Sequence, residues 1–198
     1  MLPSCPSLLF LPLPSCPRRP DIILHKCTEA LLSNDPSHVV RDIESLAALG
    51  TAVVDPPSAV RNVMDRSLIR DRLQRCLPGL TLPGGGAAAA PPSVVCRSQA
   101  ELRELPGAAG LGYPLLAKNL PAAGTPASHH MSLVFSPSGL ATLSPPMLLQ
   151  SYVNHDGVLH KAYVLGDVVR VFARPSLPNL TAESAGGLGI WRFDSQRP

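Results

Sequence analysis

The chain has 198 residues, 45% of them hydrophobic, which is enough to bury a core in one ordinary domain or in two small lobes. Its formal charge of +3 is spread along the chain, and only 4% of its residues are aromatic. These values exclude a broad basic surface and a stacking platform for single strands, so we expect no nucleic-acid partner.

Cysteine usage and the first residues bear on the compartment. The five cysteines form no Cys-x-x-Cys pair and are odd in number, which argues against a zinc site and a disulfide scaffold. We predict reduced thiols in a cytoplasmic protein; a pairing of Cys16 with Cys27 stays open for a secreted one. In residues 1–20 the apolar stretch Leu8 to Leu13 is broken by prolines and is too short to span a membrane. We predict a disordered or leader extension, which leaves organellar import open, and no membrane partner.

Residues 21–79 are predicted to form an N-terminal α/β lobe with a parallel sheet, because short apolar strands alternate with amphipathic helices. The predicted strands are residues 21–25 and 51–54. The predicted helices are residues 27–32, a helix that follows the Asp35-Pro36 capping pair and ends at Gly50, and residues 58–77.

Residues 80–92 contain GGGAAAAPP and are predicted to be a low-complexity linker; no Gly-Lys-Ser/Thr follows the glycines, so they make no phosphate loop. Residues 93–198 are predicted to form a central lobe of mainly antiparallel sheet with one or two helices. The expected elements are strands 93–96, 113–118, 130–135, 147–153, 158–165 and 168–173, a helix at 99–105 and a hairpin turn at Gly166-Asp167.

Lys118 is the first candidate for ligand binding. It ends the apolar strand YPLLAK and precedes a loop of small residues, so its ammonium and the loop amides could converge on phosphate oxygens. The alternative is a lysine that merely leaves the core for water. The run QSYVNHDGVLHK, Gln150 to Lys161, is more distinctive, because it gathers polar side chains around a strand end, a turn and a new strand. These patterns indicate a phosphate-bearing ligand.

Several longer segments follow one another in an order that is typical of a single enzyme family. They are HKCTEAL (25–31), DPPSAVRNVMDRS (55–67), YPLLAKNL (113–120), GTPASHHMSLVF (124–135), PPMLLQSYVNHDGVLHKAYVLGD (145–167) and RPSLPNL (174–180). Together they resemble the inositol 1,3,4-trisphosphate 5/6-kinases, also called inositol-tetrakisphosphate 1-kinases. The resemblance covers most of residues 21–196.

The resemblance implies ATP as cofactor and an inositol polyphosphate as substrate. It places Arg66 and Lys118 on the ATP phosphates. It implies that the nucleotide cleft is lined by Gln150, Val153, Lys161, Ser176 and Ser195. It implies that the inositol phosphate is held by Lys26, His129 and Lys161, with Arg174 as an extra cation. Fixed cations of this kind suit a polyphosphorylated ring better than a uniform basic face.

Each of these assignments has a plainer alternative. Lys26 and Arg66 could be solvated cations at helix ends. His129 and His130 are adjacent on a predicted strand, so their side chains should face opposite ways, and the family pattern selects His129. His155 could serve only to order its own turn.

The implied fold is a partial ATP-grasp fold: the N-terminal α/β lobe and the central lobe, with the C-terminal lobe missing. In the implied reaction an inositol hydroxyl attacks the γ-phosphoryl group in line, with catalysis by positioning and charge neutralisation. The family's Mg²⁺ ligands, two acidic residues and an asparagine, are expected beyond Pro198, and Asp156 and Asp167 each stand alone in a turn. We therefore expect no metal ligand in this chain and little or no kinase activity from it on its own. We also expect a monomer. Two alternatives stay open: another ATP-grasp enzyme of the carboxylate-amine ligase type, and a non-catalytic ligand-binding fragment.

Overall fold

The computed structural model describes residues 19–32 and 38–196. Residues 1–18 of the predicted leader and the Asp35-Pro36 cap lie outside these residues. Two compact units divide the chain between Arg61 and Asn62. The domain limits at residues 79 and 93 stay a prediction. No helix in the described part of the chain is both long and apolar enough to cross a membrane.

The first unit contains a small parallel sheet and three helices. Strands β1 (Ile22–Leu24) and β2 (Ala52–Val54) pair in parallel, with Ile22 opposite Ala52. The helices are α1 (Thr28–Leu32), α2 (His38–Ala48) and α3 (Pro57–Arg61). Val40 and Ile43 are buried on α2, one turn apart on the same side. The strands predicted at residues 21–25 and 51–54 are confirmed.

The single helix predicted over residues 58–77 is wrong. It is two helices, α3 and α4 (Arg66–Cys76), separated at residues 62–65. Asp65 has an extended backbone, and its carboxylate accepts a hydrogen bond from the Ser67 amide at 2.6 Å, as an N-cap does. The backbone on either side of this cap pairs with a distant segment: the Arg66 amide donates to the Leu120 carbonyl at 2.8 Å, and the Met64 carbonyl accepts from the Ala122 amide at 2.7 Å. Apolar periodicity alone does not reveal such a break.

A five-stranded antiparallel sheet forms the centre of the second unit. Its strands are β3 (Ser93–Cys96), β4 (Leu115–Asn119), β5 (His130–Val134), β6 (Met147–Ser151) and β9 (Ile190–Asp194), in the spatial order β3-β6-β4-β5-β9. Four of these strands were predicted; β9 was not. Its sequence follows a glycine-rich stretch, and only its pairing with β5 makes it a strand.

One face of this sheet is covered by two helices, α5 (Gln99–Ala108) and α6 (Pro137–Leu140). Leu102 of α5 packs with Leu115, Val134 and Leu149 of the sheet, and all four side chains are almost completely buried. Helix α5 begins at Ser98, whose hydroxyl accepts a hydrogen bond from the Glu101 amide at 3.2 Å. Because strand side chains alternate, the residues between these core positions face the other side of the sheet.

Strands β7 (Val158–Leu165) and β8 (Val168–Pro175) form a separate antiparallel hairpin. Its turn lies at Gly166-Asp167, as predicted, and both strands are exposed along nearly their whole length.

Residues 80–88 contain backbone pairing within the predicted linker: Thr81 bridges Ala87, and the Leu82 amide donates to the Gly86 carbonyl at 2.6 Å. This glycine-rich stretch is therefore a hydrogen-bonded turn.

Candidate functional site

A cavity of about 690 Å³ lies in the second unit, on the sheet face away from α5 and α6. Strand side chains of one face form its floor, because Leu116 pairs with Gln150, Lys118 with Met131, and Met131 with Phe193. The hairpin, the segment after it, the loop between β6 and β7, and residues next to the ends of β3, β5 and β9 contribute the rest. The predicted site residues that line the cavity are Lys118, His129, Gln150, Val153, Lys161, Arg174, Ser176 and Ser195.

Lys118 is the most buried cation of the cavity. Its Nζ donates to Oε1 of Gln150 on the neighbouring strand, at 2.9 Å. Burial and, to a smaller extent, the nearby positive charge of Arg66 together lower the pKa of Lys118 to about 8. A bound phosphate would supply a negative charge beside the Lys118 ammonium, whose partner Gln150 is neutral. The structure therefore holds Lys118 inside the cavity, which excludes the alternative of a lysine that leaves the core for water.

Arg66 has a different place from the other predicted phosphate ligands. It is not among the residues that line the cavity. Its guanidinium donates to the carbonyl oxygens of Asn119, Pro121 and Ser128, at 2.6, 2.6 and 2.8 Å. Burial lowers the pKa of Arg66, and the charge of Asp65 opposes that shift. These contacts join α4 to the loop after β4, and the contact of Arg66 with ATP stays a prediction.

We expect Arg66→Lys to lower the free energy of unfolding by about 1–2 kcal/mol, because an ammonium cannot reproduce the forked contacts to three carbonyls. The same change keeps a positive charge near Lys118. Urea unfolding followed by circular dichroism measures the effect, and Arg72→Lys, on the exposed side of the same helix, is the matched control. Equal stability of the two variants would contradict a structural role for Arg66.

The hairpin brings two further cations to the cavity. Lys161 of β7 lies opposite Phe172, and Leu159 lies opposite Arg174 of β8. Lys161 and Arg174 therefore occupy one face of the hairpin as diagonal neighbours. Arg170, further along β8 on that same face, does not line the cavity.

The two adjacent histidines lie at different cavities, although they do not share a strand as expected: His129 ends a 3₁₀ turn and only His130 belongs to β5. His129 ends a short 3₁₀ turn (Pro126–His129) and lines the cavity. Its carbonyl accepts a hydrogen bond from the Ser195 amide at 2.9 Å. Its imidazole Nε2 lies 3.0 Å from Nε2 of the Gln196 side chain. His130 starts β5 and lines a different groove of about 530 Å³ on the opposite sheet face. Of this adjacent pair, His129 is therefore the one available to a ligand in the larger cavity.

Lys26 belongs to the first unit, in the segment between β1 and α1. Its predicted contact with the inositol phosphate stays a prediction.

Some residues of the cavity had no signal in the sequence. The apolar part of its floor is formed by Leu116, Met131 and Phe193, and such a surface suits a planar base or ring. Phe193 escaped prediction because β9 did. Asn179 does not line the cavity, but it ties the segment after the hairpin to the loop before it, and the sequence did not predict this contact.

Acidic residues do not assemble a metal site in residues 19–32 and 38–196, where no three His, Cys, Asp or Glu side chains are grouped closely enough. Asp156 accepts a hydrogen bond from Asn179 at 2.7 Å, and Asp167 lies in the hairpin turn. The described residues therefore do not fit Mg²⁺, and we assign no step to it.

Known proteins with similar sequences match most of this chain. The sequence profile described as "Inositol 1,3,4-trisphosphate 5/6-kinase ATP-grasp domain" matches residues 85–195, more than half of the chain and nearly all the cavity residues. Inositol-tetrakisphosphate 1-kinase 3 of Glycine max is 36% identical over 175 residues, which is 87% of this chain and 47% of that protein. The Arabidopsis thaliana protein of the same name is 34% identical over 176 residues, again 87% and 47%.

A more distant relative, the inositol-tetrakisphosphate 1-kinase of Xenopus laevis, is 30% identical over 184 residues, covering 86% of this chain and 44% of that protein. The chain thus spans about half the length of the curated relatives it matches. The resemblance seen in the sequence motifs is confirmed by these matches: the chain has a mixed α/β fold with an ATP-grasp domain, and it belongs to the inositol 1,3,4-trisphosphate 5/6-kinase family.

Proposed function

We propose that the protein acts as an ATP-dependent kinase on a hydroxyl of an inositol polyphosphate, and that its second unit holds the nucleotide and the phosphates. The observation that carries this proposal is the convergence of Lys118, Lys161 and Arg174 on one cavity with an apolar floor. The names of the relatives support the reaction, and the matched ATP-grasp domain supports the nucleotide.

The cations have distinct roles in this proposal. Lys118, fixed in the sheet by Gln150, binds the nucleotide phosphates, while Val153, Ser176 and Ser195 border the nucleotide. Lys161, Arg174 and His129 bind phosphates of the inositol ring. Phosphoryl transfer requires an in-line hydroxyl and neutralisation of the charge on the transferred group. The inositol phosphate supplies the hydroxyl, and the cations of the cavity position both ligands and neutralise their charge.

The finer organisation of the fold is part of the proposal. Residues 93–198 would be the central lobe of the ATP-grasp fold, joined through residues 80–92 to the N-terminal lobe of residues 21–79. Cys27, Cys76 and Cys96 are free thiols, which supports a reducing compartment, and we place the protein in the cytoplasm as a monomer.

Calorimetric titration of the purified 198-residue chain with ATP, and separately with a panel of inositol tris- and tetrakisphosphates, tests the proposal. We expect Lys161→Met and Arg174→Met each to weaken inositol phosphate binding about tenfold, since each removes one charge-assisted hydrogen bond. Arg170→Met is the matched control, because it removes a cation from the same hairpin face outside the cavity.

Transfer of the ATP γ-phosphate to the inositol phosphate panel is measured in parallel, and we expect little or none from the 198-residue chain on its own. A chain that binds neither ligand would overturn the proposal. So would an Arg170→Met effect equal to that of Lys161→Met, because the binding would then follow total charge and not the cavity.

A further inference from the structure

The loop between β6 and β7, residues 152–157, is fastened to the segment that follows β8. Asn154 donates to the Leu180 carbonyl at 3.2 Å and accepts from the Leu180 amide at 2.8 Å. The side-chain oxygen of Asn179 accepts from the amides of His155 and Asp156, at 3.0 and 2.8 Å. These four hydrogen bonds of Asn154 and Asn179 fix the backbone of His155 at the base of the hairpin.

The imidazole of His155 is oriented by two hydrogen bonds. Nδ1 lies 2.8 Å from the carbonyl oxygen of Val153, and Nε2 lies 2.8 Å from Oγ of Ser176. A carbonyl oxygen only accepts, so Nδ1 carries the proton. In a neutral imidazole Nε2 is then an acceptor, and the hydroxyl that faces it must donate. No carboxylate in the described ranges forms an ion pair with His155.

This order of donors decides what Ser176 offers to a ligand. Its single hydroxyl proton is directed to His155, and its amide already donates to the Gly157 carbonyl at 2.8 Å. What remains toward the cavity is acceptor capacity on Oγ. Phosphate oxygens are acceptors too, so they gain nothing here. A hydroxyl or amino group of a ligand would be well bound.

We infer that His155 is a positioning residue that makes Ser176 a hydrogen-bond acceptor, so that this part of the cavity takes a neutral donor group, a hydroxyl or amino group, and not a phosphate. The inference rests on the proposed function, because it assigns one subsite within that cavity. It also replaces the plainer alternative in which His155 serves only its own turn. The donor has two sources in the proposed ligands, the nucleoside of ATP and the inositol ring.

A double-mutant cycle tests the coupling of the two residues in the full chain. We expect Ser176→Ala and His155→Leu each to weaken binding of one ligand, ATP or inositol phosphate, by about three- to tenfold, in line with one hydrogen bond. In the Ser176→Ala background, His155→Leu should have no further effect. His155→Gln, whose amide oxygen can accept from Ser176, should restore binding to within about twofold.

Ligand analogues identify the source of the donor. The compounds are 2′-deoxy-ATP, 3′-deoxy-ATP, purine riboside triphosphate and deoxy-inositol phosphates. The analogue that lacks the bound group should be insensitive to Ser176→Ala, while the others keep the full loss. If the two substitutions multiply their effects on every ligand, His155 acts on the fold and the inference fails.

A measurement without ligand separates this inference from the proposed function. Long-range ¹H–¹⁵N spectra of the free chain, with His155 assigned from the His155→Gln variant, should show protonation at Nδ1 and a bare Nε2. Protonation at Nε2 would overturn the inference even if ATP binds. Failure of ATP and inositol phosphates to bind, with Nδ1 protonated, would overturn the proposed function instead.

Discussion

Replacing Lys118 with methionine is expected to weaken ATP binding by about 10- to 100-fold, the largest loss of affinity from a single side chain in the cavity. Its ammonium is held away from bulk water and lies beside Gln150, a neutral partner, so a phosphate would be its first counter-charge in the cavity. A charge-assisted hydrogen bond in such a site contributes about 1.5–3 kcal/mol. Arg75→Met on the exposed end of α4 is the control for net charge.

The pH dependence of ATP binding follows from the same residue. Because the pKa of Lys118 is lowered to about 8, the group is mostly protonated at pH 7 and mostly neutral at pH 9. If only the charged form holds phosphate, affinity should fall about tenfold over this range, and binding at pH 8 should take up about half a proton per ATP through Lys118.

Lys118→Arg stays charged throughout and should lack this decline, and it also corrects for the ionisation of ATP itself. Titrations in buffers of different ionisation enthalpy measure the proton uptake. A wild-type slope equal to that of Lys118→Arg would show that the Lys118 ammonium does not contact the phosphates.

Gly139→Ala is expected to lower the free energy of unfolding by about 3 kcal/mol or more. A Cβ at this position would lie 1.9 Å from the carbonyl oxygen of Gly189 and 2.4 Å from its carbonyl carbon. That carbonyl also accepts a hydrogen bond from the Phe135 amide at 2.9 Å, so the backbone cannot yield without loss. The contact is between α6 and the start of β9.

Displacement of β9 would also move residues that line the cavity. Strand β9 is at the edge of the sheet and carries Phe193, and Ser195 follows it, so ATP affinity should fall together with stability. Gly107→Ala on α5 is the control, because a Cβ there meets nothing within 4 Å and alanine favours a helix. Urea unfolding of both variants measures the difference; a Gly139→Ala variant as stable as Gly107→Ala would contradict the close packing.

The order of segments along the chain was enough to identify the family and most of the elements. Strand and turn patterns are local, so alternation located β3 to β8 to within a few residues, and the Gly166-Asp167 turn located the hairpin. The most specific motif, VNHDGVLHKAYVLGD, supplies Val153 and Lys161 to the cavity and supplies His155, whose role the motif did not reveal.

Tertiary packing decided the features that depend on residues far apart in the chain. Arg66 and Asn119 are 53 residues apart, and only their contact shows that the guanidinium joins two segments of the second unit. The break at residues 62–65 and the existence of β9 likewise depend on pairing with distant strands or loops. The lowered pKa of Lys118 depends on burial in a sheet and on a second cation nearby, and the motif YPLLAK predicts neither. Residue types and their order thus indicate which groups could bind phosphate, whereas their donors, acceptors and charges are set by the neighbours that folding brings to them.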